Sequence, residues 1–282
     1  MRPPDEDLLL DRDGRILTVT LNRPKQRNAV SVTLAERLAD EIERASGDEA
    51  IRVVVLRGAG PSFCAGYEVT AGNGTAAGAD AYGHREVAVD ARHLRRLSRC
   101  WERIFRAPLP VIAQVHGHCL AGGTDLASHC DLVVAADDAV IGFPAVRSMG
   151  VALTQNWLYL VGPQWAKRLL LTGDTMTGRF AAHIGFALTS VPAADLDREV
   201  RTLAERLALV EREMLIGNKY VINHGLDLMG RAALQEMAVA QDAMAHQSAP
   251  AKAFAARARQ EGLKAALAHR DGPFGAEPLD IA

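Results

Sequence analysis

A chain of 282 residues that is 49% hydrophobic and 23% charged can bury a large core without metal or disulfide staples, and global disorder is excluded. Lys plus Arg number 32 against 34 Asp plus Glu, a net charge of -2, so there is no overall basic field of the kind that nucleic acid or an anionic membrane requires. Residues 7–21 read as a hairpin turning at Asp13-Gly14, a pair suited to a tight turn. From Ser31 to Ser46 the apolar residues Leu34, Leu38 and Ile42 recur every four positions behind Ser31 as N-cap, which predicts an amphipathic helix. The run Val53-Val54-Val55-Leu56 ends at Gly58-Ala59-Gly60-Pro61 and predicts a strand buried on both faces, hence flanked by helices. Residues 71–79 are almost all Gly, Ala, Asn and Thr, a composition that predicts a mobile loop. A helical pattern follows from about Asp80 to Phe105. Pro110 to Val115 predicts a second buried strand, broken at Gly117, followed by a helix over about Gly122 to Cys130 and a strand at Leu132-Val133-Val134-Ala135. Strands alternating with helices indicate an α/β core. After Ala193 the pattern is helical to Ala268, which predicts a helical layer for docking or assembly. The expected organisation is a core over residues 1–205 and a C-terminal helical segment over 206–282.

Cys64, Cys100, Cys119 and Cys130 are widely spaced, with no CxxC pair, so reduced, buried thiols are expected and no metal site is called for. The start, Met1-Arg2-Pro3-Pro4-Asp5-Glu6-Asp7, has prolines and acids where a secretory signal needs an apolar stretch. The longest aliphatic runs fall far short of the roughly 20 residues that span a bilayer. A soluble, cytoplasmic protein is the expectation.

Two nucleotide motifs fail on inspection. Gly117 to Thr124 has the spacing of a phosphate loop, but Gly123 stands where the lysine must be. Gly58-Ala59-Gly60 follows a strand, but Phe63 occupies the third glycine position of a dinucleotide fingerprint. What remains is a pair of similar turns, Phe63-Cys64-Ala65-Gly66-Tyr67-Glu68 and Leu120-Ala121-Gly122-Gly123-Thr124-Asp125, each of small residues after a buried strand. Glycine lets main chain approach a ligand closely, and N–H groups at a helix start lack intrahelical acceptors, so two such turns facing one point can hold an oxyanion. Tight packing of two turns would use the same residues.

At these residues the chain resembles the crotonase (enoyl-CoA hydratase/isomerase) superfamily. Asn22-Arg23-Pro24-Lys25-Gln26-Arg27-Asn28-Ala29-Val30 is similar to the family's NRP…NA segment, Phe63 to Glu68 to its F-x-A-G-x-D segment, and Val115 to Asp125 to its NG…AGGG segment. Cys130-Asp131-Leu132, Pro144 and Leu170-Leu171-Thr172-Gly173 follow in the family's order. The resemblance implies a crotonase-like spiral of ββα turns, a homotrimer or hexamer built partly through the C-terminal helices, and an acyl-CoA thioester as ligand, with no cofactor beyond the coenzyme A of the substrate. It further implies that the backbone N–H groups of Tyr67 and Gly122 form an oxyanion hole, which would stabilise the thioester enolate. Arg23, Lys25 and Arg27 would lie along the coenzyme A path, where basic side chains suit phosphates. Cys64, Ala65, Gly66, Glu68 and Ala145 would border the substrate.

The departures from the family pattern fall at its acid/base pair. Hydratases of the family use two glutamates; Asp125 falls at the first position and Ala145 at or near the second, and no Asp or Glu occurs between Asp138 and Asp174. Leu153, Thr154 and Gln155 fill the stretch where some members carry an aspartate. Asp125 is the candidate acid/base, although an acid in a first helical turn is also favoured electrostatically. His84, His116, His118 and the Tyr67 phenol are secondary candidates. The expected function is an acyl-CoA-processing lyase of the enoyl-CoA hydratase/isomerase type, within fatty acid metabolism, with hydration slower than in two-glutamate relatives. Because both glutamates are missing, isomerisation, decarboxylation, thioester hydrolysis and non-catalytic acyl-CoA binding stand as alternatives.

Overall fold

The computed structural model describes residues 7–69, 86–275 and 277–281; the glycine- and alanine-rich stretch 71–79 and His84 lie outside them. The chain begins with the expected hairpin, β1 (Leu8–Asp13) and β2 (Ile16–Leu21), paired antiparallel around Gly14 at φ 58°. Helix α1 (Val32–Gly47) follows, with the Ser31 hydroxyl accepting the Leu34 N–H at 3.1 Å. Its spacing of Leu34, Leu38 and Ile42 buries all three. Then come β3 (Val53–Gly58), α2 (Val87–Arg106), β4 (Val111–Val115), β5 (His118–Leu120), α3 (Gly122–Ser128), β6 (Leu132–Ala136) and β7 (Val140–Gly142). Next are α4 (Trp157–Thr172), broken at Gly162-Pro163, then β8 (Thr175–Thr177), α5 (Gly178–His183) and β9 (Thr189–Val191). Helices α6 (Leu196–Ala208), α7 (Arg212–Leu228), α8 (Arg231–Ala245), α9 (Ala249–Glu261) and α10 (Leu263–Asp271) complete it.

Two sheets form. The larger has the order β1-β2-β3-β4-β6-β9, parallel from β2 onward, and the smaller is β5-β7-β8. The valine-rich runs occupy the centre of the larger sheet, where β-branched side chains are covered on both faces; α6 packs on β3, β4 and β6. Each passage from a strand of the large sheet to one of the small sheet and on to a helix is one turn of a ββα spiral.

The spiral brings the two glycine-bearing turns together through backbone pairing. The segment after β3 runs beside β5: Phe63 N–H donates to His116 O at 2.8 Å, Cys64 N–H to His118 O at 3.0 Å, and Leu120 N–H to Cys64 O at 3.0 Å. Asn28 locks the same segment from the other side. Its side-chain amide donates to Ala59 O and Ser62 O at 2.9 and 2.7 Å, and its Oδ1 accepts the Arg23 N–H at 2.8 Å. Those bonds account for a buried asparagine in the left-handed region, at φ 56°.

Of the C-terminal helices, α7 and α8 dock on α2. Helix α8 runs antiparallel to it, with Arg231–Glu102, Arg95–Glu236 and His246–Asp90 pairs along the seam. Lys219 of α7 reaches inward to Asp131 at 2.7 Å and to Leu109 O at 2.9 Å. No helix among the described residues is long and apolar enough to cross a membrane.

Candidate active site

Gly66 and Gly122 are the points of closest approach between the two turns. Gly66 has φ 118°, and a Cβ there would stand 3.1 Å from Leu120 O and 3.6 Å from Gly122 N. A Cβ on Gly122 would meet three ring atoms of Tyr67 at 2.9 Å. Between them Ala121 adopts φ 48°, ψ -116°, a conformation that costs a non-glycine residue roughly 1–3 kcal/mol. Its N–H donates to Gly142 O at 2.9 Å, and its carbonyl, in the same peptide as the Gly122 N–H, accepts the Thr124 N–H at 2.8 Å and the Thr124 hydroxyl at 2.7 Å, which fixes the direction of that peptide. Gly122 opens α3 and has no intrahelical acceptor. Tyr67 is held by its neighbours, Val30 N–H donating to Gly66 O and Glu68 N–H to Val30 O. Among the described residues neither the Tyr67 nor the Gly122 N–H donates to a backbone carbonyl.

Beside these two N–H groups lies a buried polar chain. Trp101 Nε1–H donates to the Tyr67 hydroxyl at 2.9 Å, which donates to Asp125 Oδ2 at 2.8 Å, while the Thr154 hydroxyl donates to Asp125 Oδ1 at 2.6 Å. Asp125 is 0% exposed. Burial pushes its carboxyl up to about 7; the Thr154 and Tyr67 hydroxyls pull the other way, and the charge of Asp242 adds to the rise. Burial, and then the Asp125 charge, push the Tyr67 phenol well above its ordinary value. Behind α3, His129 binds Asp125 O through Nδ1 at 2.7 Å, and burial pushes it down to about 4. A carboxyl that titrates near neutrality, linked to a phenol, can give or take a proton at physiological pH.

The remaining sequence candidates divide. Cys64 is fully buried and Cys64 and Ala65 are engaged through their backbones, Ala65 N–H donating to Arg27 O at 2.9 Å. Arg23 donates to Ala29 O at 2.7 Å and to Glu68 Oε1 at 2.9 Å, which makes Glu68 its ion-pair partner. Lys25 and Arg27 remain at the surface, and Arg23 and Lys25 line a cleft of about 420 Å³ with Asp7, Asn22, Pro24 and Gln26. Ala145 packs with Val69 against the apolar cluster of Met149, Phe254 and Ala266, so the position expected for a second acid is an apolar wall. His116 bonds Gly60 O at 2.9 Å, and His118 lies 3.3 Å from the Ser62 hydroxyl. Burial, then the Arg27 charge, lowers the pKa of His118. Trp101 and Thr154 were not identified as site residues from the sequence. Thr154 stands in the stretch where some family members carry an aspartate and contributes a hydroxyl to Asp125 instead. Among the described residues no group of three His, Cys, Asp or Glu side chains is placed to hold a metal ion.

The family model for enoyl-CoA hydratase/isomerase matches residues 11–276. The chain belongs to that family. It is an enzyme of the hydratase/isomerase type, acting on acyl-CoA thioesters, built on the crotonase fold. It is 30% identical over 275 residues to a crotonyl-CoA hydratase of Syntrophomonas wolfei, covering 95% of this chain and 98% of that protein. It is 32% identical over 240 residues to the putative enoyl-CoA hydratase EchA13 of Mycobacterium tuberculosis, covering 78% and 74%. A crystal structure of enoyl-CoA hydratase from Mycobacterium smegmatis superposes with a TM-score of 0.90 at 34% identity, covering 97% of each chain.

Proposed function

We propose that the enzyme adds water across the double bond of an enoyl-CoA, with the thioester oxygen held between the Tyr67 and Gly122 N–H groups. The observation that carries this reading is the close approach of two turns whose N–H groups have no backbone acceptor among the described residues, beside a buried carboxyl. Negative charge growing on the thioester oxygen as Cα becomes enolate-like is stabilised by both donors, each worth about 10²–10³ in rate. Asp125 and the Tyr67 hydroxyl act as one acid/base unit on Cα, with Trp101 and Thr154 fixing their orientation. Ala145, Val69, Met149 and Phe254 form an apolar wall along the acyl group. Lys25 and Arg27, with Arg23 beneath them, face the coenzyme A phosphates, and no cofactor joins the reaction. Loss of enoyl absorbance from crotonyl-CoA, with 3-hydroxybutyryl-CoA as product, tests the reading. Isomerisation, decarboxylation or hydrolysis of the thioester without hydration would refute it.

The functional unit is proposed to be a homotrimer, or a pair of trimers, assembled through the 206–282 segment. On α7 and just beyond it, Met214, Tyr220, Val221, Ile222, Leu228 and Met229 are each more than half exposed, a concentration of apolar side chains on one element that suits burial against another copy. Val221→Asp is expected to convert the assembly to single chains; an unchanged mass by light scattering would place the interface elsewhere. Four unpaired, buried thiols fit a reducing compartment such as the cytoplasm.

A further inference from the structure

Helices α9 and α10 fold back on one another through Gly262, at φ 89°, and α10 packs on the turn Pro144–Arg147 that carries Ala145. A cleft of about 180 Å³ opens between the two helices and Ser148. Phe254 and Ala266 form its floor, Arg257, His269 and Arg270 its rim, and no carboxylate lines it among the described residues. Phe254 and Ala266 also belong, with Met149, to the cluster against which Val69 and Ala145 pack. The same side chains therefore form the cleft on one side and the apolar wall of the site on the other. Val69 follows Tyr67 by two residues, at most about 7 Å of chain, and at the far side of the cluster Arg270 Nη1 stands 3.0 Å from Met149 Sδ. The basic rim begins where the wall ends.

The ion pairs around the cleft do not cancel. Arg270 makes a two-bond fork to Asp271, each bond 2.8 Å, but Arg147 takes the same carboxylate at 3.0 Å. Arg147 also stands 3.8 Å from Asp174, which Arg168 holds at 2.8 Å. Arg257 reaches Glu261 at 3.4 Å, the edge of hydrogen-bond range. The guanidiniums of Arg147, Arg168, Arg257 and Arg270 thus share the carboxylates of Asp174, Glu261 and Asp271, and one positive charge is left over. Ser148 adds a second unmet need, because its Oγ is buried without a hydrogen-bond partner among the described residues. An anion in the cleft answers both, as counter-charge to the guanidiniums and acceptor for the hydroxyl. An aliphatic chain end in the same place would cover the guanidiniums and return nothing for their lost water.

We propose that the cleft takes the far end of the acyl group, and that the enzyme selects enoyl-CoA thioesters whose acyl chain ends in a carboxylate. This rests on the reading of the site given above, in which the acyl group lies along Val69, Ala145 and Met149. The thioester oxygen stays between the Tyr67 and Gly122 N–H groups, and the methylenes run past Met149, whose unbranched thioether adjusts to them. The terminal carboxylate meets the forks of Arg257 and Arg270, and the Ser148 hydroxyl donates to it. Two carboxylate oxygens in a plane match the paired N–H groups of a guanidinium, which a single point charge does not require. Selection comes from the contrast: a carboxylate completes the rim, whereas a methyl group leaves it covered and unmatched.

The test compares hydration of 2-hexenoyl-CoA with hydration of its analogue in which C6 is a carboxylate. Wild type is expected to favour the carboxylated thioester about 10²-fold in kcat/KM. Arg257→Gln should lower that ratio about tenfold or more, chiefly by raising KM for the carboxylated thioester, and Arg257→Lys should restore part of it. Ser148→Ala should lower it about threefold. A wild-type ratio near one, or a ratio that Arg257→Gln leaves unchanged, would overturn the role of the cleft and leave the reading of the site standing. Equal loss on both thioesters in Arg257→Gln would assign Arg257 to the support of the fold and overturn it likewise. Free adipate supplies the carboxylate without the thioester. If it altered 2-hexenoyl-CoA hydration by wild type but not by Arg257→Gln, while the wild-type ratio stayed near one, the cleft would hold a separate anion and the acyl assignment would fall. A wild type that hydrates neither thioester would overturn the reading of the site itself.

Discussion

Asp125→Asn is expected to lower kcat for crotonyl-CoA hydration by about 10²–10⁴-fold, the usual loss when a positioned acid/base group is removed, with little change in the affinity for the thioester. Asparagine can still accept from the Thr154 hydroxyl, and its amide can approach the Tyr67 oxygen, so the site keeps its shape while losing its exchangeable proton. The variant should also lack the alkaline limb expected of the wild type near pH 7, where Asp125 gives up its proton. A second readout separates the carboxyl from the rest of the protein. Because burial raises its folded-state pKa from 3.8 to about 7, Asp125 binds its proton more tightly folded than unfolded. Its contribution to stability is therefore complete below about pH 4 and is lost as pH rises toward 7. Asp242 acts in the same direction up to about 6. His129, depressed to about 4, works oppositely but is common to both proteins. Urea midpoints at pH 4.5 and 7.5 should fall more steeply for wild type than for Asp125→Asn. Parallel slopes would mean that Asp125 is ionised in the folded protein and cannot be the acid.

The parts of the molecule legible in the sequence are those where one local signal decides the outcome. Four-residue spacing behind Ser31 gave α1, β-branched runs gave β3, β4 and β6, and small residues after two of those strands marked the turns that meet at Gly66 and Gly122. Strands β5, β7, β8 and β9 have three residues each, too few for a period of two to register. The smaller sheet leaves no such signal, although its β7 accepts the Ala121 N–H at the second turn. The acid/base environment was legible only in part. Asp125 was found at its position in a motif, but Trp101, Thr154 and Asp242 lie 24, 29 and 117 residues from it in the chain, and only the spiral and the return of α8 along α2 bring them together. Arg23 carries bonds that its place in the sequence does not reveal: beside the phosphate contact expected of it, the fold pairs it with Glu68 and Ala29 O.

Alanine at Gly122 and alanine at Gly123, one residue apart, should fail in different ways. A Cβ on Gly122 would stand 2.9 Å from Cδ1, Cδ2 and Cε1 of Tyr67, a side chain that can swing away, but only by giving up its bonds to Trp101 and Asp125. Because the contact is with a side chain and not with backbone, rotation of the ring can relieve it at the expense of the bonds that position the phenol, so Gly122→Ala is expected to unfold within a few degrees of wild type while kcat/KM falls about 10²–10³-fold, comparable to loss of an oxyanion donor. A Cβ on Gly123 would stand 2.2 Å from Cys64 O, a backbone atom that already accepts the Leu120 N–H. Nothing there can rotate aside, and relief requires prising the segment after β3 away from β5. Gly123→Ala should cost roughly 3 kcal/mol or more, at the upper end for overpacking, and be recovered poorly as soluble protein. The pair distinguishes a turn that aims a ligand-facing N–H from a turn that merely packs. If Gly122→Ala kept full activity, the Tyr67 ring and its bond to Asp125 would have no part in catalysis. If it unfolded as readily as Gly123→Ala, both glycines would serve only the close packing of the two turns.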